Sequence, residues 1–494
     1  MSARSARDQT PPAPRGQMRA ADPSHVFDVT TFGAVGDNST DNTAAFTKAL
    51  QKAFEANGGM VSVPPGLYVL AGQLTIPPGV SLTGSYRVVP SHDLRGHQPI
   101  TDGTVLIPTG GRGSIGCKPD PESVEPDLDC TEAFITIAEN ALVQGLVVWY
   151  KEQERVATPV PYPWTFYLGD PKHVYSSSAD NAAIMDVEVL GCWNCIAAVE
   201  AHRHYIARIQ GHPINIGVFV DATYDIGRIE DVHFNPWYSD GHPFYWWQTT
   251  YGRAFIFGRS DWEYVFNTFA FAYAIGYHFI ERETGSMNGN FLGIGMDAAT
   301  NASVQVDQSQ PYGILITNGE FTAFCDTGHS FCPPNTPNGS QFAPMHVKVL
   351  PGNQGAVKFI TSSFWGPAAA VAQADGIGTV SFTECHFDSW DHHLNANGST
   401  YEHRGTAAIE QLGGTLILSG NEFTQPGTQL EITDVRRTCP SSPRSLTQKA
   451  DLCPPMAQVG LLARSKTIVA ENIVKGPLNI INHVQGPRAK VIVA

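Results

Sequence analysis

Residues 26–86 read VFDVTTFGAVGDNSTDNTAAFTKALQKAFEANGGMVSVPPGLYVLAGQLTIPPGVSLTGSY, and this stretch predicts how the fold begins. A short strand ends at Gly33, and a polar turn follows over residues 36–41. Asp41 can cap the N-terminus of the next helix, and the pair Gly58-Gly59 is expected to end that helix. The helix has one apolar face, formed by Ala45, Phe46, Ala49, Leu50 and Phe54. Three short strands then alternate with Pro-Pro-Gly turns, at Met60–Val63, Leu67–Leu70 and Val80–Thr83.

A degenerate repeat continues this arrangement through the rest of the chain. Each copy has a short alternating strand, a polar turn with Asn, Ser or Glu, and an apolar residue that closes onto the next strand. The clearest copies begin at Gly313, Ala356, Thr379, Thr415 and Thr467. Such a unit cannot bury its inner face alone, so stacked copies form one continuous core with parallel strands. The repeat predicts a solenoid with long loops inserted between coils, and an antiparallel sandwich would not show it.

The pattern FGAVGD…TDNTAAF…GG-x-V-x-VPPG-x-Y resembles the N-terminal entry of the pectate-lyase-like, right-handed parallel β-helix superfamily. That superfamily includes polygalacturonase-like and rhamnogalacturonase-like proteins, β-1,3-glucanases, alginate epimerases and phage tailspikes. The resemblance implies an all-β right-handed parallel β-helix with an N-terminal capping helix, in which residues 25–494 form one domain. It also implies a carbohydrate substrate, and trimers are common in the superfamily. The matching segment carries no catalytic group, so the reaction has to be argued from the site.

Composition narrows the classes of partner. With 47 Gly, 35 Pro and only 16% charged residues, the chain favours turn-rich β structure. A net charge of −15 argues against nucleic acid and anionic membranes as partners. No apolar run approaches the roughly 20 residues that span a bilayer. Residues 1–24 are expected to be a disordered leader without the apolar region of a signal peptide, so export would use a signal outside this sequence or another route.

Eight of the nine cysteines form pairs that are close in sequence, which is typical of loops stapled in an oxidising, extracellular or periplasmic compartment. The pairs are Cys117 with Cys130, Cys192 with Cys195, Cys325 with Cys332, and Cys439 with Cys453. The Cys192–Cys195 pair is expected to be either a local disulfide or two buried thiols, because a single CxxC is weak evidence for metal. Cys385 is expected to be a buried thiol. Scattered histidines give no metal-binding pattern, and no cofactor is indicated.

The segment 229–283 is the candidate site, because aromatic rings and acids alternate there more densely than elsewhere. Flat rings beside carboxylates suit sugars, which need apolar platforms and polar anchors together. The candidate catalytic acids are Asp240, Asp261, Glu263 and Asp297. The candidate substrate-binding residues are Trp237, Tyr238, His242, Trp246, Trp247, Arg259 and Trp262. If residues 259–263 form a strand, Asp261 and Glu263 project to one side with their backbones roughly 6.5–7 Å apart, near the carboxyl spacing of an inverting glycosidase. The alternative is that these acids pair with arginines on a solvated face and the rings form core or a subunit interface.

Three functions stay open at this stage. A glycoside hydrolase with a carboxylate pair in a central cleft is the first hypothesis. The second is a lyase or epimerase that acts on uronates, although no acid cluster identifies a calcium site. The third is a glycan-binding protein of the tailspike type without activity. Polygalacturonase-like enzymes carry N-x-D, Asp-Asp, Gly-His-Gly and R-x-K sets on successive coils, and this chain has none of these sets intact.

Overall fold

The chain folds into a right-handed parallel β-helix, as the repeat and the resemblance predict. The computed structural model describes residues 25–87, 102–114, 117, 128–153, 156, 158–173, 179–239, 245–324, 343–395, 400–424, 430–434, 466–470, 473–475, 478–482 and 490–493. The expected leader, residues 1–24, and the cysteines 325, 332, 439 and 453 lie outside these ranges. Within these ranges, no helix has the length and apolar character needed to cross a membrane.

Each coil of the solenoid contributes strands to three parallel sheets, which we name face A, face B and face C. Face A contains Val26–Asp28, Gly59–Ser62, Val80–Thr83, Glu263–Phe266, Gly289–Leu292, Ile314–Thr317, Ala356–Ile360, Thr379–Thr383, Thr415–Ser419, Lys466–Ala470 and Lys490–Val493. Face B contains Asp37–Asp41, Gly66–Leu70, Thr104–Pro108, Phe269–Phe271, Gly295–Ala299, Glu320–Ala323, Ser363–Trp365, His386–Asp388, Glu422–Thr424 and Ile473–Lys475.

Face C contains Leu74–Ile76, Ala133–Ile137, Trp164–Leu168, Arg253–Phe257, Ile275–Phe279, Ala302–Val306, Met345–Val349, Ala370–Ala374, Ile409–Gln411, Leu430–Asp434 and Leu478–Asn482. Four long strands belong to more than one face. Leu142–Trp149 and Arg228–Phe234 run through faces A and B, and Ala183–Val199 and Tyr205–Asp221 run through all three. A separate antiparallel pair joins His393–Leu394 to Tyr401–Glu402.

Like side chains stack along the solenoid axis and form its core. Phe255 stacks on Tyr277 with ring centroids 4.9 Å apart. Further along, Phe359 stacks on Phe382 at 5.0 Å, and Phe387 on Phe423 at 4.7 Å. Each pair comes from neighbouring coils in register, so the apolar residue that closes every repeat builds a continuous ladder.

The N-terminal helix spans Thr43–Glu55 and covers the first coils. Its buried residues include Ala45, Phe46, Ala49 and Leu50, as predicted, but Phe54 is 45% exposed and Ala53 is buried in its place. Asp41 accepts hydrogen bonds from the backbone N–H and hydroxyl of Thr43. A second helix spans Tyr245–Tyr251, and two 3-10 turns cover Val29–Phe32 and Trp237–Ser239.

The described cysteines follow the sequence-based expectation. A disulfide joins Cys117 to Cys130. Cys192, Cys195 and Cys385 are free and buried. Burial raises the pKa of the Cys195 thiol well above its ordinary value, and burial raises the pKa of Cys385 to about 11. The thiols of Cys195 and Cys385 are therefore protonated side chains of the core and not reactive thiolates.

Candidate functional site

The structure separates the predicted site residues into three places. Trp237, Tyr238 and Asp297 lie on or beside face B. Residues 259–263 lie at the corner between faces C and A. Trp246 and Trp247 belong to the helix Tyr245–Tyr251. Asp240 and His242 lie outside the described residues. The predicted set is therefore not one constellation.

The predicted strand over residues 259–263 is wrong. The face C strand ends at Phe257, and the face A strand begins only at Glu263. Between them Trp262 has a φ of +60°, a left-handed conformation that reverses the chain direction instead of continuing a pleat. Asp261 and Glu263 consequently do not share one side of a strand, and the predicted spacing of the carboxylate pair does not apply.

Glu263 points into the solenoid and is fully buried. Its Oε1 lies 2.9 Å from His204 Nε2, and its Oε2 accepts a hydrogen bond of 2.6 Å from the Ser260 hydroxyl. His204 Nδ1 in turn lies 2.9 Å from the carbonyl oxygen of Ala201. Burial lowers the pKa of His204, but the Glu263 carboxylate and the two hydrogen bonds outweigh it, so the net pKa is raised above 6.5. Glu263 has no access to a substrate and holds the corner together as half of a buried ion pair.

Asp261 is engaged in a polar network at the same corner. It pairs with Arg259 at 2.9 Å and accepts hydrogen bonds from Gln310 at 2.7 Å and Asn288 at 3.3 Å. Arg259 also lies over the ring of Tyr224, 5.5 Å from its centroid. These contacts match the alternative considered for the sequence, in which the acid pairs with a nearby arginine.

The predicted aromatic platforms differ in exposure. Trp262 is 61% exposed at the tip of the corner, and Trp246 is 38% exposed on its helix. Trp247 is partly buried against Trp193, with centroids 5.2 Å apart. Tyr238 is buried, and its hydroxyl accepts a hydrogen bond of 2.6 Å from Trp149 Nε1. Tyr238 is therefore not available as a sugar platform, and Trp247 has one part of its ring covered by Trp193.

Face B carries two accessible carboxylates on neighbouring coils, and we name the surface around them the face B groove. Asp297 lies in Gly295–Ala299, and Glu320 begins the next strand, Glu320–Ala323. Glu320 pairs with Gly295, two residues before Asp297. A strand spacing of about 4.8 Å and a rise of about 3.3 Å per residue place the two Cα atoms roughly 8 Å apart.

Each carboxylate is oriented by one donor from a neighbouring coil. The Thr322 hydroxyl donates to Asp297 Oδ1 at 2.6 Å. Trp365 Nε1 donates to Glu320 Oε1 at 3.0 Å. Asp297 is half-buried and Glu320 is exposed, so both retain a carboxylate oxygen toward solvent.

Aromatic rings surround the two acids in the groove. Trp237 stacks on Phe271 with centroids 5.2 Å apart and planes 23° apart. Phe269 lies against His233, with centroids at 4.7 Å. Trp365 is 44% exposed beside Glu320. The groove thus combines acids and ring faces, the combination expected in residues 229–283, but Asp297, Glu320 and Trp365 come from later coils.

Three members of the groove, Phe269, Glu320 and Trp365, are not among the residues predicted from the sequence. Glu320 occupies the turn position of a repeat, where Asn, Ser and Glu recur, and Trp365 lies in a later coil. Aligning the repeats by register could have found both, since Glu320 and Ser363 pair, and Trp365 lies two residues beyond. In the described part of the chain, no three His, Cys, Asp or Glu side chains converge as a metal site would require.

A family model described as "Rhamnogalacturonase A/epimerase, pectate lyase-like" matches residues 26–105. The first coils are pectate lyase-like. This match confirms the resemblance drawn from the FGAVGD and VPPG segments, and it covers the capping helix and the early coils only. No curated protein matches the chain.

Three solved structures illustrate the similarity of this chain's fold to that of known proteins. ORF18 of Geobacillus virus E2 is 12% identical, with a TM-score of 0.45 over 81% of this chain and 62% of that chain. The catalytic unit of a GH87 α-1,3-glucanase from Streptomyces thermodiastaticus is 14% identical, with a TM-score of 0.43 over 82% and 70%. The A-module of mannuronan C-5 epimerase AlgE4 from Azotobacter vinelandii is 13% identical, with a TM-score of 0.40 over 94% and 99%. This chain thus spans less than two thirds of the viral protein.

Proposed function

We propose that the protein is a carbohydrate-active enzyme, and specifically a glycoside hydrolase that uses Asp297 and Glu320 in the face B groove. The observation that supports it is the pair of accessible carboxylates on neighbouring coils, flanked by the rings of Trp237, Phe269 and Trp365. Glycoside hydrolysis needs two carboxyl groups on opposite sides of the scissile bond. The match of the first coils to a rhamnogalacturonase/epimerase model is compatible with a carbohydrate substrate.

We propose an inverting mechanism for this pair. Inverting enzymes separate their carboxyl groups by about 6.5–9.5 Å to leave room for water, and side chains that extend from Cα atoms roughly 8 Å apart can reach that separation. We assign Asp297 as the base that deprotonates water, with the Thr322 hydroxyl donating to its Oδ1 and fixing its orientation. Glu320 then donates its proton to the leaving oxygen from Oε2, since Oε1 accepts the Trp365 N–H.

The rings supply the binding surface. Trp365 is the most exposed and lies directly beside the proposed acid, so it is suited to stack on the sugar next to the bond that breaks. Trp237 stacks on Phe271, which fixes the orientation of its ring. Since Phe271 lies one coil before Asp297, Trp237 offers a second platform beside that coil. Action outside the cell and assembly as a trimer stay predictions that accompany this proposal.

Two other functions have distinct experimental signatures. A uronate lyase would form an unsaturated product, and an epimerase would change sugar configuration without cleavage. A glycan-binding protein would retain its ligand and release no product. These alternatives are outcomes of the experiment that tests the proposal.

The test is turnover of a panel of plant, algal, fungal and bacterial glycans, followed by chromatography and by absorbance of unsaturated uronates. We expect saturated products, and a loss of about 10²–10⁴-fold in kcat for Asp297→Asn and for Glu320→Gln. Glu422→Gln is the matched control, because Glu422 occupies the same row of face B three coils further on, roughly 14 Å away. Unsaturated products, or full activity in both acid variants, would refute the proposal.

A further inference from the structure

A second group of polar and charged side chains lies on the outer surface of face C, away from the face B groove. The strand register aligns His278, Gln305 and Lys348 in one outward row on consecutive coils. Arg253 approaches this row from the preceding coil, and Asp307 follows the strand that carries Gln305. The proposed hydrolase mechanism uses none of these five residues.

Hydrogen bonds fix the orientation of the group. Arg253 Nε donates to His278 Nδ1 at 3.2 Å, and His278 Nε2 lies 2.9 Å from Asp307 Oδ2 and 3.1 Å from Gln305 Nε2. Gln305 Nε2 donates to Asp307 Oδ1 at 2.9 Å. Burial raises the pKa of Asp307, but the hydrogen bond and charge interaction with His278, the Gln305 hydrogen bond and the nearby Arg253 charge outweigh burial and hold the net pKa below its ordinary value. His278 is buried, whereas 34% of the Asp307 side chain is exposed.

Lys348 provides a cation beside this carboxylate. Its side chain is half-buried, and within the described residues its ammonium makes no hydrogen bond or ion pair. Burial lowers the pKa of Lys348 and Arg253 lowers it further, while Asp307 acts in the opposite direction. The two basic side chains, Arg253 and Lys348, outnumber the Asp307 carboxylate, so the group has an excess of positive charge.

We propose that this group binds an acidic sugar, whose carboxylate or sulfate ester contacts Lys348 and whose hydroxyl groups donate to Asp307. An anionic oxygen would supply the hydrogen-bond acceptor that a half-buried ammonium requires. Arg253 adds positive charge behind Lys348, and the lone pairs of Asp307 that face solvent accept from neutral hydroxyls. His278 and Gln305 are positioning residues, because they hold the carboxylate without facing the ligand. The site binds and does not carry out a reaction.

The test measures binding by titration calorimetry at low ionic strength with three probes: D-galacturonate, glucose 6-sulfate and neutral D-galactose. We expect at least one acidic sugar to bind the wild-type protein more tightly than galactose. Affinity should fall at least tenfold in Lys348→Met, and Lys348→Gln serves if the first variant does not fold. Lys358→Met is the matched control, because Lys358 is exposed on face A. The Lys358→Met protein should bind the acidic sugar with the same affinity as the wild type.

The outcomes separate this site from the proposed active site. Asp297→Asn should retain full binding of the acidic sugar even if turnover is lost. The acidic sugar that binds identifies the anion as carboxylate or sulfate. Equal affinity for acidic and neutral sugars, or unchanged affinity in a folded Lys348 variant, would overturn the proposal.

Discussion

Replacing Glu263 with Gln tests whether the buried carboxylate supports the fold or the reaction. The carboxylate is fully buried and bonded to His204 and Ser260, so Glu263→Gln removes one charge of a buried pair. Breaking such a pair costs about 3–5 kcal/mol. The Gln side chain fills the same space as Glu and its amide oxygen still accepts a hydrogen bond from Ser260. We therefore expect the free energy of unfolding to fall by about 3 kcal/mol.

The pH dependence of stability gives the pair an independent signature. The folded-state pKa of His204 is raised above its ordinary 6.5, so the folded state binds this proton more tightly than the unfolded state. The stabilisation is complete below pH 6.5 and declines as the pH rises through the folded-state pKa. Glu263→Gln should lack this decline. Urea unfolding of both proteins between about pH 5 and pH 8, which brackets the ordinary value, measures the effect.

Asp261→Asn is the matched control for this experiment. Asp261 is two residues away and partly exposed, and a surface ion pair with Arg259 contributes about 0–1 kcal/mol. Folded Glu263→Gln protein should retain its specific activity. If Glu263→Gln instead kept wild-type stability and lost turnover by orders of magnitude, the structural assignment of Glu263 would be wrong.

Three further predictions concern the core and the groove. Burial lowers the pKa of His346 to about 3, so wild-type stability should fall by about 1.4 kcal/mol per pH unit on acidification below 6.5, and His346→Leu should remove that slope in urea unfolding. A methyl group at Gly227 would lie 2.2 Å from His204 Cε1, so Gly227→Ala should cost about 1–3 kcal/mol; a thermal midpoint equal to that of the wild type would contradict this. Trp365→Phe keeps a ring but removes the donor to Glu320, so kcat should fall about tenfold with little change in KM, and an unchanged pH–rate profile would argue against the contact.

The sequence predicted the fold well because its signals are local and repeated. The strand Val80–Thr83 has the predicted bounds, Gly66–Leu70 begins one residue earlier than predicted, and Gly59–Ser62 is shifted by one residue at both ends. Phe54 was misplaced because helical periodicity alone does not show where the solenoid ends beneath the helix, and Ala53 faces the coils instead.

The candidate site was harder to predict because its members meet only across coils. Asp261 and Glu263 were grouped on the assumption of a pleated strand, and one left-handed residue, Trp262, removed that relation. Asp297 and Glu320 are 23 residues apart in sequence and become neighbours only through the strand register. Composition identified the residue types of the groove, but register determines which of them share a surface.

The two 17-residue strands, Ala183–Val199 and Tyr205–Asp221, pass from face B to face C without interruption. Their backbone is hydrogen-bonded to neighbouring coils on both sides of the bend, so an insertion there would break ladders in two sheets at once. At the same bend of the preceding coil, residues 150–163 separate the strands Leu142–Trp149 and Trp164–Leu168. In the following coil, residues 235–252 separate Arg228–Phe234 from Arg253–Phe257. Evolutionary changes in loop length should therefore concentrate in these flanking excursions, and a grafted peptide should be tolerated there before it is tolerated in either long strand.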